Sequence, residues 1–130
     1  AVGVAQAAFD FALQYSKERE QFGKPICEHQ AIRMKLSEMK VELEAARQLT
    51  YYAASLKDSG KRCDLEAGMA KVKAAKAVEF ITREAMQILG GYGYSKEFPV
   101  ERYWRDGRVI SIFEGTSEIQ HEVIAKAILK

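Results

Sequence analysis

EHQAIRMKLSEMKVELEAARQLTYYAASLKDSG, Glu28 to Gly60, is the stretch whose reading decides the fold. Ile32, Leu36, Met39, Leu43, Ala46, Leu49, Ala53 and Leu56 advance by threes and fours, so one apolar stripe runs along a helix from near Glu28 to Ser59. Gly60 is the natural break at its C-terminal end. A stripe of this length also suits a coiled coil, but helical patterns on both sides of it make a bundle the better reading.

Upstream, Ala1 to Glu20 reads as a first helix with Val4, Ala8, Phe11, Ala12 and Tyr15 on one face, stopped by Gly23 and Pro25. Downstream, a third helix is expected from Asp64, a good N-cap residue, to Leu89, ending at Gly90 and Gly91. It is apolar on two sides. Leu65, Met69 and Val72 form one row, and Ala67, Ala70, Ala74, Ala77, Ile81, Ala85 and Ile88 form another whose small residues would admit a close neighbour, such as another subunit. A short helix over 99–106 and a last one over 116–129 complete the pattern. With only 2 prolines and few β-branched clusters, strand signals are absent. The expectation is an all-α, antiparallel, up-down four-helix bundle with an extra short helix, one domain over residues 1–130.

Composition narrows the function. A chain of 130 residues that is 48% hydrophobic can bury one real core. Its 20 basic and 18 acidic residues are interspersed, so no basic stripe marks a nucleic-acid partner. Cys27 and Cys63 lack zinc-site or redox-motif spacing and read as structural thiols. No apolar run approaches the roughly 20 residues of a membrane-spanning helix, so no membrane insertion is expected. Helical periodicity begins at Ala1 without Met or leader, as in a piece of a longer protein.

Three segments carry candidate chemistry. In IFEGTSEIQ, Ile112 to Gln120, Glu114 stands before Gly115 and the N-cap candidates Thr116 and Ser117. On spacing alone, an acid there serves the helix dipole more often than catalysis. In QILGGYGY, Gln87 to Tyr94, Gly-Gly reads locally as a helix C-cap, and in REQFGKPI, Arg19 to Ile26, Arg19 complements a helix end. ERYWRDGR, Glu101 to Arg108, alternates acids and bases as a salt-bridged surface or subunit contact does. His29 and His121 read as polar surface or bundle residues. Glu118 and His121 make one Glu-x-x-His pair, but a di-metal bundle needs a second pair and two more inward glutamates, and no second pair exists.

Taken together, IFEGTSEIQ, QILGGYGY and REQFGKPI resemble the C-terminal domain of the acyl-CoA dehydrogenases. The resemblance covers essentially all 130 residues, about the last third of such an enzyme, with the N-terminal helical and middle β-domains absent. It implies that Glu114 is the base that takes the α-proton of an acyl-CoA thioester while FAD accepts the β-hydride. It further implies that Gly115 lies against the thioester end and that Thr116 and Glu118 contact FAD. Arg19, Gln21, Gln30, Gln87, Gly90 and Gly91 are implied to reach the FAD of a neighbouring subunit in a homotetramer. An electron-transfer flavoprotein is the implied electron acceptor, in bacterial cytoplasm or mitochondrial matrix. Such a base needs a carboxyl pKa raised by desolvation and a thioester carbonyl polarised by hydrogen bonds. Phe113 replaces a frequent tyrosine and His121 a frequent arginine; neither change touches the base. The rivals are an acyl-CoA oxidase, told apart by peroxide production, and a non-catalytic helical module for assembly or partner binding, told apart by the lack of a flavin spectrum. The 130 residues alone are expected to show no turnover, because one bundle cannot enclose both FAD and substrate.

Overall fold

The computed structural model describes residues 1–130. The chain runs through helix α1 (Val2–Glu18), a hairpin of β1 (Glu20–Gln21) and β2 (Lys24–Pro25), a 3₁₀ turn (Ile26–Glu28), and helices α2 (Gln30–Asp58) and α3 (Asp64–Leu89). Three shorter helices follow: α4 (Gly91–Tyr94), α5 (Val100–Val109) and α6 (Ser117–Ile128). α3 is the central element and packs on α1, α2, α5 and α6.

The stripe on α2 faces inward as its spacing requires: Met39, Leu43, Ala46 and Ala53 are buried, and Ile32, Leu36, Leu49 and Leu56 border them. The inward face of α1 is turned from the expected one. Ala5, Ala8, Phe9, Ala12 and Ser16 are buried, whereas Val4, Phe11 and Tyr15 flank the core. The sequence pattern overlooked Phe9 because alanines on either side weakened the contrast on which periodicity depends.

Met39, Leu43, Val78, Ile81 and Val100 are fully buried and belong to one cluster joining α1, α2, α3 and α5. Each such side chain contributes about 1.5–3 kcal/mol over leaving it in water. The two buried hydroxyls are satisfied by their own helices, Ser16 donating to Leu13 and Thr82 to Val78, both at 2.7 Å. The small-residue row of α3 is used within the chain: Ala74, Ala77, Ile81, Ala85 and Ile88 sit in this cluster. Ala67, at the start of the row, is exposed.

Four local features depart from expectation. Cys63, not Asp64, occupies the N-cap of α3, and Asp64 lies in the first turn, where it accepts from Arg62 at 2.6 Å. α2 starts two residues late because the 3₁₀ turn precedes it. The Gly90–Gly91 end of α3 is followed at once by α4, which sequence periodicity cannot register in four residues. Finally, QFGK closes a two-residue hairpin with Phe22 at φ 55° and Gly23 at φ 77°, paired Glu20 to Pro25 and Gln21 to Lys24. Turns with two positive-φ residues favour Asn-Gly, so an aromatic in that place hid the hairpin.

Candidate active site and cofactor-binding surface

The residues singled out by sequence gather at two places along α3. The first is a groove of about 760 Å³ at its C-terminal end, lined by Arg19, Gln21, Gln87, Gly90 and Gly91. The end of α1, the hairpin, the 3₁₀ turn with the start of α2, the last turn of α3, and α4 with the loop after it build the groove. Tyr15, Phe22 and Tyr92, none of them expected from the sequence, complete its wall. Tyr92 meets Tyr15 edge-on at 6.4 Å and leans on Phe98 at 5.1 Å, while Phe98 meets Phe11 at 6.3 Å. This aromatic file ties the groove to the core, and of its four rings only Tyr92 lies in a motif the sequence singled out. Phe22 is 94% exposed at the tip of the hairpin, an apolar ring in water on a strained backbone. Strain of that kind collects at binding surfaces.

Local chemistry suits a flat, anionic guest. Gly90 holds φ 61°, ψ −133° as the α3 cap, and nothing lies within 4 Å of where a Cβ would stand on Gly90 or Gly91. A ring or phosphate can therefore come directly against the backbone. Arg19 is exposed at the C-cap of α1, and its guanidinium offers five donors with no acceptor. Gln87 is exposed beside it, and Gln21 donates to the carbonyl of Glu20 at 2.8 Å. His29 holds the hairpin, its Nε2 3.0 Å from the carbonyl oxygen of Gln21. Gln30 is not part of this groove; it lies on a separate exposed surface with Glu28, Arg33, Met34 and Ser37.

The second place is the turn between α5 and α6, which holds Glu114, Gly115, Thr116 and Glu118. Glu114 is exposed with φ 52°, a left-handed conformation rare for any residue with a side chain. Gly115 follows at φ 90°. A Cβ on Gly115 would stand 2.5 Å from Gln120 Nε2, so this chain's own amide already packs against that α-carbon. Thr116 caps α6, its hydroxyl accepting from the Ile119 amide at 3.3 Å. The Glu118 carboxyl is held below its ordinary value by a hydrogen bond from its own backbone amide and then by the Thr116 hydroxyl. Both residues thus work as helix-start residues in this chain, and both edge a small cleft shared with Ala75, Lys76, Glu79, Arg108 and Ser111.

One participant here was missed. The ammonium of Lys71, on α3, donates to the backbone carbonyls of Phe113, Glu114 (3.1 Å) and Gly115 (3.0 Å) and lies 5.2 Å from the Phe113 ring centre. Nothing in AKVKAAK sets it apart from its neighbours Lys73, which pairs with Glu42 at 2.6 Å, and Lys76, which is exposed. The charged cluster on α5 contributes as well: Arg108 and Ser111 both bond Glu79 of α3, and Arg105 pairs with Glu101 at 3.4 Å. A larger cleft of about 1030 Å³ between the start of α3 and α6 is rimmed by Arg62, Asp64, Glu66, Lys126 and Lys130. None of the sequence-derived site residues lines it.

Lys71, which holds the acid's turn, and Gln87 of the groove are sixteen residues apart on α3, about 24 Å along its axis at 1.5 Å each, while Thr116 and Glu118 lie beside the intervening Ala75, Lys76 and Glu79. The geometry defines an all-helical module with a glycine-floored aromatic groove at one end of its central helix and an exposed acid on a strained turn towards the other. Residues 1–129 match the family model described as "Acyl-CoA dehydrogenase, C-terminal domain", and the chain belongs to that family. It is 53% identical over all its 130 residues to the mitochondrial short-chain specific acyl-CoA dehydrogenase of Bos taurus, covering 32% of that protein. It is 52% identical, again over its full length, to the 3-(aryl)acrylate reductase of Clostridium sporogenes, covering 34% of it. The structure of butyryl-CoA dehydrogenase from Megasphaera elsdenii superposes with a TM-score of 0.98 at 48% identity, over 99% of this chain and 34% of that one. The chain thus spans about a third of the length of the curated relatives it matches.

Proposed function

We propose that this chain is the C-terminal helical domain of a flavin-dependent acyl-CoA dehydrogenase that converts acyl-CoA thioesters to trans-2-enoyl-CoA, with Glu114 as the base. The observation that carries the reading is a glutamate held at φ 52° with its side chain free to leave the chain's surface, in a domain matched from end to end by the family model. Glu114 takes the α-proton, and the thioester end lies along the Gly115 backbone. In this chain alone Glu114 remains in water, so the desolvation that would strengthen it as a base comes from the substrate and from the rest of the enzyme.

FAD, when bound, supplies the hydride acceptor. Thr116 and Glu118 lie on the same turn as the base and so belong with the flavin beside it. Arg19, Gln21, Gln87, Gly90 and Gly91 line a separate groove at the C-terminal end of α3 and on this reading serve the flavin of a second copy, Arg19 facing its phosphates. Gln30 lies outside that groove and would need a further contact from the second copy. The full protein is then a homo-oligomer, a tetramer by the family's habit, that passes electrons to an electron-transfer flavoprotein.

The test is Glu114→Gln in the intact flavoenzyme. Flavin content should be retained while dehydrogenation falls at least about 10²- to 10⁴-fold, the contribution of a positioned base. Near-normal turnover would move the base elsewhere. The 52% identity to an arylacrylate reductase supports a second reading, in which the same glutamate, protonated, delivers its proton to the α-carbon of an unsaturated acyl group whose β-carbon would take a hydride from the reduced flavin. Assaying the enzyme in both directions, with a saturated acyl-CoA and an artificial acceptor or an enoyl-CoA and a reduced donor, separates them.

A further inference from the structure

We infer that Lys71 is the positioning residue of the Glu114 turn, its ammonium gathering the carbonyls of residues 113, 114 and 115 and so fixing the direction in which the Glu114 carboxylate projects. The inference rests on the reading of Glu114 as the base.

An ammonium has three N–H donors and no acceptor, and here each donor has one backbone carbonyl. In extended chain, successive carbonyls point to opposite sides. Three consecutive ones can face a single atom only if the backbone coils, as it does at Glu114 (φ 52°) and Gly115 (φ 90°). The left-handed conformation at Glu114 is unfavourable for a residue with a Cβ and persists only where its surroundings enforce it. Charge-assisted hydrogen bonds from Lys71 provide that enforcement, and the face of Phe113 adds a further attraction. With the carbonyls drawn towards α3, the Glu114 side chain leaves on the other side of the turn.

The other ties fall on either side of the peptides flanking Glu114: Ile112 and Phe113 N–H donate to the Val109 carbonyl at 2.9 and 3.2 Å. Ser117 N–H donates to the Ser111 carbonyl at 3.0 Å, and Ser111 is anchored on Glu79 at 2.8 Å. Thr116 caps the helix that follows. Between these anchors only Lys71 bonds the peptides that flank Glu114. Lys71 projects from buried α3 but is itself only half-buried, so replacing its end group leaves no cavity in the core.

The experiment compares Lys71→Met and Lys71→Arg in the intact flavoenzyme, with Glu114→Gln alongside. Lys71→Met should lower kcat for acyl-CoA oxidation about 10- to 100-fold, the effect of displacing a reacting group by roughly 1 Å, with flavin content, melting temperature and KM nearly unchanged. Lys71→Arg keeps the charge and donors and should restore part of kcat. In the 130-residue chain, Lys71→Met should speed amide hydrogen exchange over residues 113–119 and leave α1 to α3 protected. An unchanged kcat in Lys71→Met overturns the inference. So does a parallel loss of flavin, melting temperature and kcat in both Lys71 variants, which would make the contact a general support of the fold. Should Glu114→Gln keep its turnover, the proposed function fails; exchange then decides for Lys71 alone, and a turn as well protected in Lys71→Met as before overturns its role.

Discussion

The two ends of α3 are held by different kinds of force. At the C-terminal end, Ile88 and Leu89 are buried and the groove wall is an aromatic file reaching into the core. Beside its N-terminal half, α6 contributes no buried residue, and the turn before it is fixed by Lys71, Glu79 and a threonine cap. The first end depends on packing, which tolerates little change of shape; the second depends on individual hydrogen bonds, which can be removed one at a time. The groove and the exposed acid can differ in this way because α3 carries each at a separate level.

This contrast can be broken or sharpened by mutation. Gly93→Ala strikes the packed end: a Cβ there would stand 2.5 Å from the carbonyl oxygen and 2.8 Å from the Cα of Met86, both backbone atoms that cannot swing aside. It should cost about 3 kcal/mol, the upper part of the overpacking range, and displace α4 from the groove; thermal melting and flavin affinity would both fall. A variant as stable as the parent would show that the groove is softer than its packing implies.

Glu84→Gln tests α3 one turn before the groove. Burial pushes the Glu84 carboxyl up, but hydrogen bonds from Lys35 and Arg83 outweigh it and hold the group below its ordinary value of 4.5. A carboxyl depressed in the folded state adds stability that is fully present above the unfolded value and is lost as pH falls through the folded one. The variant should therefore lose about 2 kcal/mol near neutral pH, from one unsatisfied partner in a part-buried pair, and the gap should close below about pH 4.5. Denaturant melts at several pH values check this, and a gap independent of pH would rule out the ion pair as its source.

At the polar end, Thr116→Ala removes the one side-chain cap of α6. It should cost about 1 kcal/mol and, because α6 buries nothing, should fray that helix in exchange experiments while leaving the α1–α3 core intact. Loss of the whole fold would show that α6 is more strongly coupled to the core than its exposed surface indicates.

The architecture was legible wherever periodicity had length to act on. α2 and α3 came out within about two residues of their observed ends, and the stripe on α2 faces the core as read. Failures occurred in short or atypical pieces: the QFGK hairpin with an aromatic at positive φ, the four-residue α4, and the inward Phe9 amid alanines. Arg19, Gln21, Gln87, Gly90 and Gly91 line one groove, and Gln30 lies on a separate surface. Lys71 was illegible in principle. Its partners are backbone carbonyls more than forty residues away, and a carbonyl leaves no mark on residue identity.

Because a single uninterrupted α3 carries Lys71 near one end and Gln87 at the other, the helix acts as a screw thread with a fixed phase. One residue inserted between them would turn one site by about 100° against the other and lengthen their separation by about 1.5 Å, while every local motif stayed intact. Substitutions in this span are then far easier to accommodate than changes of length, since only the latter would rotate the groove against the acid's turn.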